Sequence, residues 1–179
     1  ATLVSVTQPL NTSGIIFVMS EPVTTTVTPE ASATISMTVA VTTTVTIPTG
    51  AVAEETSFSL TTAVVDAPPE GQKLLGASFI LQAQNTGETL YLNKTQFSDG
   101  ESIIFSKPVT VTVSFETNDL VDFFEETLAL YYWDTATGAW VKLTSTRLGQ
   151  SIFALLDRPA QFALFGLEKL LIFLPSVFR

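Results

Sequence analysis

Ala33-Thr34-Ile35-Ser36-Met37-Thr38-Val39-Ala40-Val41-Thr42-Thr43-Thr44-Val45-Thr46-Ile47 decides the fold class. Ala33, Ile35, Met37, Val39, Val41, Val45 and Ile47 share one parity; Thr34, Ser36, Thr38, Thr42, Thr44 and Thr46 share the other. Successive side chains of a strand point to opposite faces, so this spacing puts aliphatics on one face and hydroxyls on the other. A helix would scatter both sets around its circumference. Threonine is β-branched and stiff at χ1, which favours a strand further. Val109, Val111, Val113 and Phe115, with Thr110, Thr112 and Ser114 opposite, repeat the pattern.

The rest of the chain is punctuated in the same rhythm. Pro48-Thr49-Gly50, Pro68-Pro69-Glu70-Gly71, Asn85-Thr86-Gly87, Ser98-Asp99-Gly100 and Thr137-Gly138 are turn signals. Between them the spacing predicts strands near 2–7, 14–20, 23–28, 33–47 (broken), 56–66, 73–84, 89–93, 102–106, 109–116, 127–133, 139–144, 150–156, 161–166 and 168–174. Asp134–Gly138 joins Tyr131-Tyr132-Trp133 to Trp140-Val141-Lys142-Leu143 as a hairpin. Asn118–Glu126 is the one stretch that reads as a helical turn, with Asn118 or Asp119 as N-cap. Many short strands at regular spacing predict an all-β, Ig-like antiparallel β-sandwich with extra terminal strands. The expected organisation is an N-terminal strand-forming extension over 1–30, a sandwich module over 31–166 and an apolar C-terminal strand or tail over 167–179.

Composition narrows the function. The 179 residues are 46% hydrophobic and only 14% charged, against roughly 25% charged in an ordinary soluble protein. Thr and Ser supply the missing polarity, a balance that suits extracellular walls, sheaths and fibres. The net charge of -9, with 8 Lys and Arg, speaks against nucleic acid, which requires clustered cations. The chain has no Cys and no His. That excludes disulfides and thiolate catalysis, and removes the commonest general base and transition-metal ligand. With no signal peptide in view and no Met before Ala1, the expectation is a chain that starts at a processing site. The apolar run Leu170–Leu174 stops at Pro175, far short of the about 20 residues a membrane span needs.

Two stretches carry a resemblance. Thr44-Val45-Thr46-Ile47-Pro48-Thr49-Gly50-Ala51-Val52, followed by Glu55-Thr56-Ser57-Phe58-Ser59-Leu60, resembles the strand, I-P-x-G-A, strand opening of the β-sandwich domains of ankyrins and netrin receptors. Phe105-Ser106-Lys107-Pro108-Val109-Thr110-Val111, Asp119-Leu120, Leu128–Trp133 and Trp140-Val141 resemble the second half of the bacterial version. That version recurs as a C-terminal module of secreted surface proteins in filamentous, often thermophilic, Chloroflexi-type bacteria. Phe162-Ala163-Leu164-Phe165-Gly166 is similar to its closing strand, and Leu170–Arg179 to the aliphatic-Pro-basic tail that follows it. The resemblance spans roughly 31–179 and implies a secreted binding or structural module, with no ligand specified. Some relatives self-cleave at a His-Phe-Ser step. Here the matching place reads Arg158-Pro159-Ala160-Gln161-Phe162, without base or nucleophile, so self-cleavage does not carry over.

Candidate sites follow from residue type. No Gly-x-Ser-x-Gly elbow, phosphate loop or metal-ligand pair appears, so no catalytic residue and no cofactor is expected and the chain reads as a non-enzyme. Asp119, Asp122 and Glu125, with Asn118 and Glu126, are a weak calcium candidate, and Asp99 with Glu101 makes a second acidic turn. Tyr132 and Trp140 are a candidate glycan-stacking platform beside Tyr131 and Trp133. Asn11-Thr12-Ser13 and Asn93-Lys94-Thr95 fit the glycosylation pattern at Asn11 and Asn93.

The two ends are the sharpest feature. Leu3-Val4-Ser5-Val6 and Ile15–Met19 precede the module, and Leu170, Leu171, Ile172, Phe173 and Leu174 follow its closing strand. A strand apolar on both faces must be buried on both, yet one sandwich needs neither extra strand. They fold back or complete a neighbour's sheet by β-augmentation. The expectation is an extracellular, cell-surface structural subunit whose partners are copies of itself. Leu3, Val4 and Val6 are the preferred donor strand for a pilus-like or sheath-like filament; Leu170, Ile172 and Leu174 are the second candidate. The alternative is a surface adhesion or carbohydrate-binding module.

Overall fold

A computed structural model describes residues 21–65, 67–86 and 103–169 of the chain. Eleven strands occupy most of them: β1 Val23–Val27, β2 Ala33–Val39, β3 Val41–Ile47, β4 Thr56–Ala63, β5 Gln72–Asn85, β6 Val109–Ser114, β7 Ala129–Asp134, β8 Ala139–Lys142, β9 Ser145–Leu148, β10 Ser151–Leu156 and β11 Ala160–Leu167. One sheet has six strands in the order β1-β4-β5-β11-β7-β8; the other has five, β2-β3-β6-β10-β9. Neighbouring strands in both sheets run antiparallel. The two sheets pack as an all-β sandwich.

The parity of the deciding stretch sets which side chains meet. Ile35, Met37, Val41, Val45 and Ile47 turn inward with Val109, Val111, Val113, Ile152, Ala154 and Leu156 of the five-stranded sheet. Phe58, Leu60, Phe79, Leu81, Leu130, Phe162 and Leu164 of the six-stranded sheet face them. Phe79 stacks on Phe162 at 6.1 Å between ring centroids. Each buried Val, Leu, Ile, Met or Phe side chain contributes about 1.5–3 kcal/mol. Val27 of β1 belongs to the same core, so strand pairing reaches into the 1–30 stretch.

The break inside 33–47 falls at Ala40, which turns β2 into β3 at φ 60 with Val39 opposite Val41. Between Ser78 and Leu75, β5 carries an irregularity opposite Ala163 and Leu164 of β11. Gly76 sits in it at φ 76, a left-handed backbone that glycine adopts at no steric cost.

Four local expectations are corrected. The described part of 102–106 is not a strand: Phe105 N–H donates to Asp157 O at 2.7 Å and Ser106 N–H to Ala51 O at 2.9 Å, two different neighbours, so no ladder forms. The 139–144 run is cut at Lys142, because the chain crosses there between sheets, and β9 then pairs with β10. The helical stretch is two 3-10 turns, Thr117–Leu120 and Glu125–Thr127. The first turn is capped by Glu116, not by Asn118 or Asp119: Glu116 N–H donates to the Asp119 carboxylate at 2.7 Å, which places Asp119 inside the turn. The expected strands 2–7, 14–20 and 89–93 lie outside the described residues. Of 168–174, Glu168 forms an isolated bridge with Phe123, and 170–174 lie outside.

Candidate functional site

Sheet edges are where a sandwich meets other chains, because they carry unpaired backbone N–H and C=O groups. Among the described residues the sandwich has four edge strands: β1 and β8 of one sheet, β2 and β9 of the other. Three carry devices that blunt pairing. β1 is five residues long, between Pro22 and Pro29. β8 has four residues and ends at Lys142. β9 has four and contains Arg147. β2 carries none of these: it has seven residues without charge or proline, and its register against β3 runs unbroken from Ala33–Ile47 to Val39–Val41.

The side chains of β2 divide cleanly. Ile35 and Met37 are buried at 3% and 4% exposure, so this edge is anchored in the core. Thr34, Ser36 and Thr38 are exposed on the other face. Ser36 and Thr44 share a hydroxyl hydrogen bond of 2.8 Å, and Thr38 and Thr42 one of 3.0 Å, across the β2–β3 pair. Those bonds add side-chain links to the β2–β3 ladder on its exposed face and leave the outer backbone edge of β2 without a strand partner among the described residues.

The candidate donor residues Leu3, Val4, Val6, Leu170, Ile172 and Leu174 lie outside the described residues, as do Asn11, Asn93, Asp99 and Glu101. The described chain runs past β11 alongside Asp122–Phe124: Phe124 N–H donates to Leu167 O at 3.0 Å and Lys169 N–H to Asp122 O at 2.7 Å. Lys73 pairs with Glu168 there, which raises the lysine's pKa above its ordinary value.

The aromatic residues are not brought together as one platform. Trp133 lies opposite Trp140 in the β7–β8 ladder and Tyr132 opposite Val141. Alternation therefore puts Trp140 and Tyr132 on opposite faces of the sheet. Trp140 packs edge-on against Trp133 at 5.4 Å and Phe165 at 5.0 Å. Phe165 joins Ala129, Tyr131 and Ala163 in a second apolar cluster on the outer face of the six-stranded sheet, packed by Val65, Leu74 and Trp140. Burial there pushes the Tyr131 hydroxyl pKa up. Tyr132 instead lines a cleft of about 260 Å³ with Leu155, Asp157 and Arg158.

Two of the acidic candidates, Asp119 and Glu125, are engaged locally. Asp119 accepts from the backbone of Glu116. Glu125 takes an Arg147 N–H at 2.7 Å on its carboxylate and another at 3.1 Å on its carbonyl. Arg147 also donates to Gly149 O at 3.0 Å and lies 5.7 Å over the Phe115 ring. This guanidinium thus ties β9 to the second 3-10 turn at the wall of a cleft of about 560 Å³ lined by Glu126, Leu128, Lys142 and Ile152. Among the described residues no three acidic side chains are grouped to hold an ion, and no helix is long and apolar enough to cross a membrane.

No family model matches the chain, and no curated protein matches it.

Proposed function

We propose that this chain is an extracellular structural subunit that joins copies of itself into a filament by lending a terminal β-strand to a neighbour. The observation that carries the reading is β2: a seven-residue edge, uncharged, free of proline, paired on one side only among the described residues. Leu3-Val4-Ser5-Val6 is the preferred donor, and Leu170–Leu174 the second. Main-chain hydrogen bonds supply the affinity of such an addition and alternate side chains its register; each bond is worth about 0.5–1.5 kcal/mol net. A donor on one face of the subunit and an acceptor on another make a heterologous contact, which propagates as a filament when it does not close into a ring. The low charge density supports close packing of like subunits, since few ions must be desolvated.

Light scattering on the chain lacking residues 1–8, beside the full chain, tests the donor assignment. The expected result is assembly of the full chain, a monomeric truncated chain, and binding of a synthetic peptide of residues 1–8 to the latter. Assembly of the truncated chain to the same extent would remove the N-terminal donor.

A further inference from the structure

The outer face of the five-stranded sheet has an unusual chemistry. Its rows, read from the strand registers, are Thr34–Thr46–Thr110–Leu155, Ser36–Thr44–Thr112–Phe153–Thr146 and Thr38–Thr42–Ser114–Ser151–Leu148. No ionisable side chain occurs among them, in a chain with 17 acidic and 8 basic residues. The charged neighbour Arg147 pairs with Ile152, on the inner side. The face is exposed: Thr34, Ser36, Thr38 and Thr46 are open to solvent, Leu155 is 58% and Leu148 76% exposed. A solvated sheet face ordinarily carries charged residues, because they keep it from sticking.

We propose that this face packs against the same face of a second copy of the chain. Three properties favour a copy over a charged partner. A face without charge offers no complement to an anionic or cationic surface, but two such faces meet without like-charge repulsion although each chain carries -9 overall. Six of its eleven hydroxyls are already bonded in pairs: Ser36–Thr44 at 2.8 Å, Thr38–Thr42 at 3.0 Å and Ser114–Ser151 at 2.8 Å. Burying them therefore leaves fewer polar groups unmet. Two identical, identically twisted sheets also pack naturally face to face at about 30°.

Size sets the strength. Five strands spaced about 4.8 Å apart, each presenting two or three outward residues, cover roughly 400 Å². A stable complex buries about 800 Å² per partner. The face-to-face contact is therefore transient between free chains, enough to favour one encounter geometry that oxidation traps, and it strengthens once copies are lined up and many contacts act together. It deepens the assembly reading by supplying a lateral contact between filaments, and it does not require the strand-donation contact in order to be measured.

The absence of native cysteine allows a direct test. Thr112 lies at the centre of the face, so in Thr112→Cys two copies packed face to face bring their thiols within disulfide reach. Ala136→Cys, at the exposed tip of the β7–β8 hairpin, reports random encounter. Oxidation of the full-length variants, followed by gel analysis, should give covalent dimers faster for Thr112→Cys than for Ala136→Cys. Adding Thr44→Lys to Thr112→Cys places like charges across the contact and should slow dimer formation about tenfold. Equal rates for the two cysteine variants, or no effect of Thr44→Lys, would overturn the proposal. These readings are taken whether or not filaments form, so loss of the strand-donation contact and loss of this one are told apart.

Discussion

Gly76 of β5 lies directly against Val41 of β3: a Cβ built on Gly76 would sit 2.6 Å from both Val41 methyl carbons. The two residues belong to opposite sheets, so this close approach sets the spacing of the sandwich beside the β2–β3 hairpin. The left-handed backbone at Gly76, φ 76, is a second reason for glycine. Gly76→Ala should lower stability by about 2–4 kcal/mol, the sum of overpacking and backbone strain. Gly71→Ala carries a similar φ of 71 but meets nothing within 4 Å, and should cost only about 1 kcal/mol. Urea denaturation of both variants separates the two contributions.

Thr43 sits on the apolar parity of β3, fully buried, and its hydroxyl has no hydrogen-bond partner. An unmet buried hydroxyl costs about 1–3 kcal/mol. Valine has the same shape without the hydroxyl. Thr43→Val is expected to raise stability by about 1 kcal/mol and to move the denaturation midpoint upward. A lower midpoint would mean that the hydroxyl is bonded in solution.

The split between what was and was not legible has a local cause. The parity of 33–47 and 109–115 is a covalent property of the chain, so the core faces of β2, β3 and β6 could be read directly. Strand order is a long-range property: nothing near Ala33–Val39 says that β2 lies at an edge, and that position makes it the candidate site. Ser145–Leu148 has no apolar alternation, so β9 left no trace. The aromatic faces were within reach. Counting back from the Asp134–Gly138 turn pairs Trp133 with Trp140, which puts Tyr132 on the other side.

Asp134 organises that hairpin. Its carboxylate accepts from Thr137 Oγ1 at 2.8 Å and from Ala136 N–H at 3.1 Å, and these bonds hold its pKa below the ordinary carboxylate value. A carboxylate with a lowered folded pKa stabilises above its unfolded pKa, and that contribution is lost as pH falls through the folded one. Asp134→Ala should therefore melt at a lower temperature than the parent at neutral pH, with the difference shrinking in strong acid. A pH-independent difference would show that the charge has no part in it.

Ala40 turns β2 into β3 in a conformation that costs a non-glycine residue about 1–2 kcal/mol. Ala40→Gly relieves that strain but makes the unfolded chain more flexible, which takes back about 0.5–1 kcal/mol. The net expectation is a small gain, at most about 1 kcal/mol, read as a modest rise in melting temperature. A clear fall would show that the Ala40 methyl packs usefully at the tip.

Negative-stain electron microscopy of the purified full-length chain tests the self-assembly account most directly. The account predicts filaments built from repeating sandwich-sized subunits. A field of single, separate particles at concentrations well above those used for imaging assemblies would contradict it.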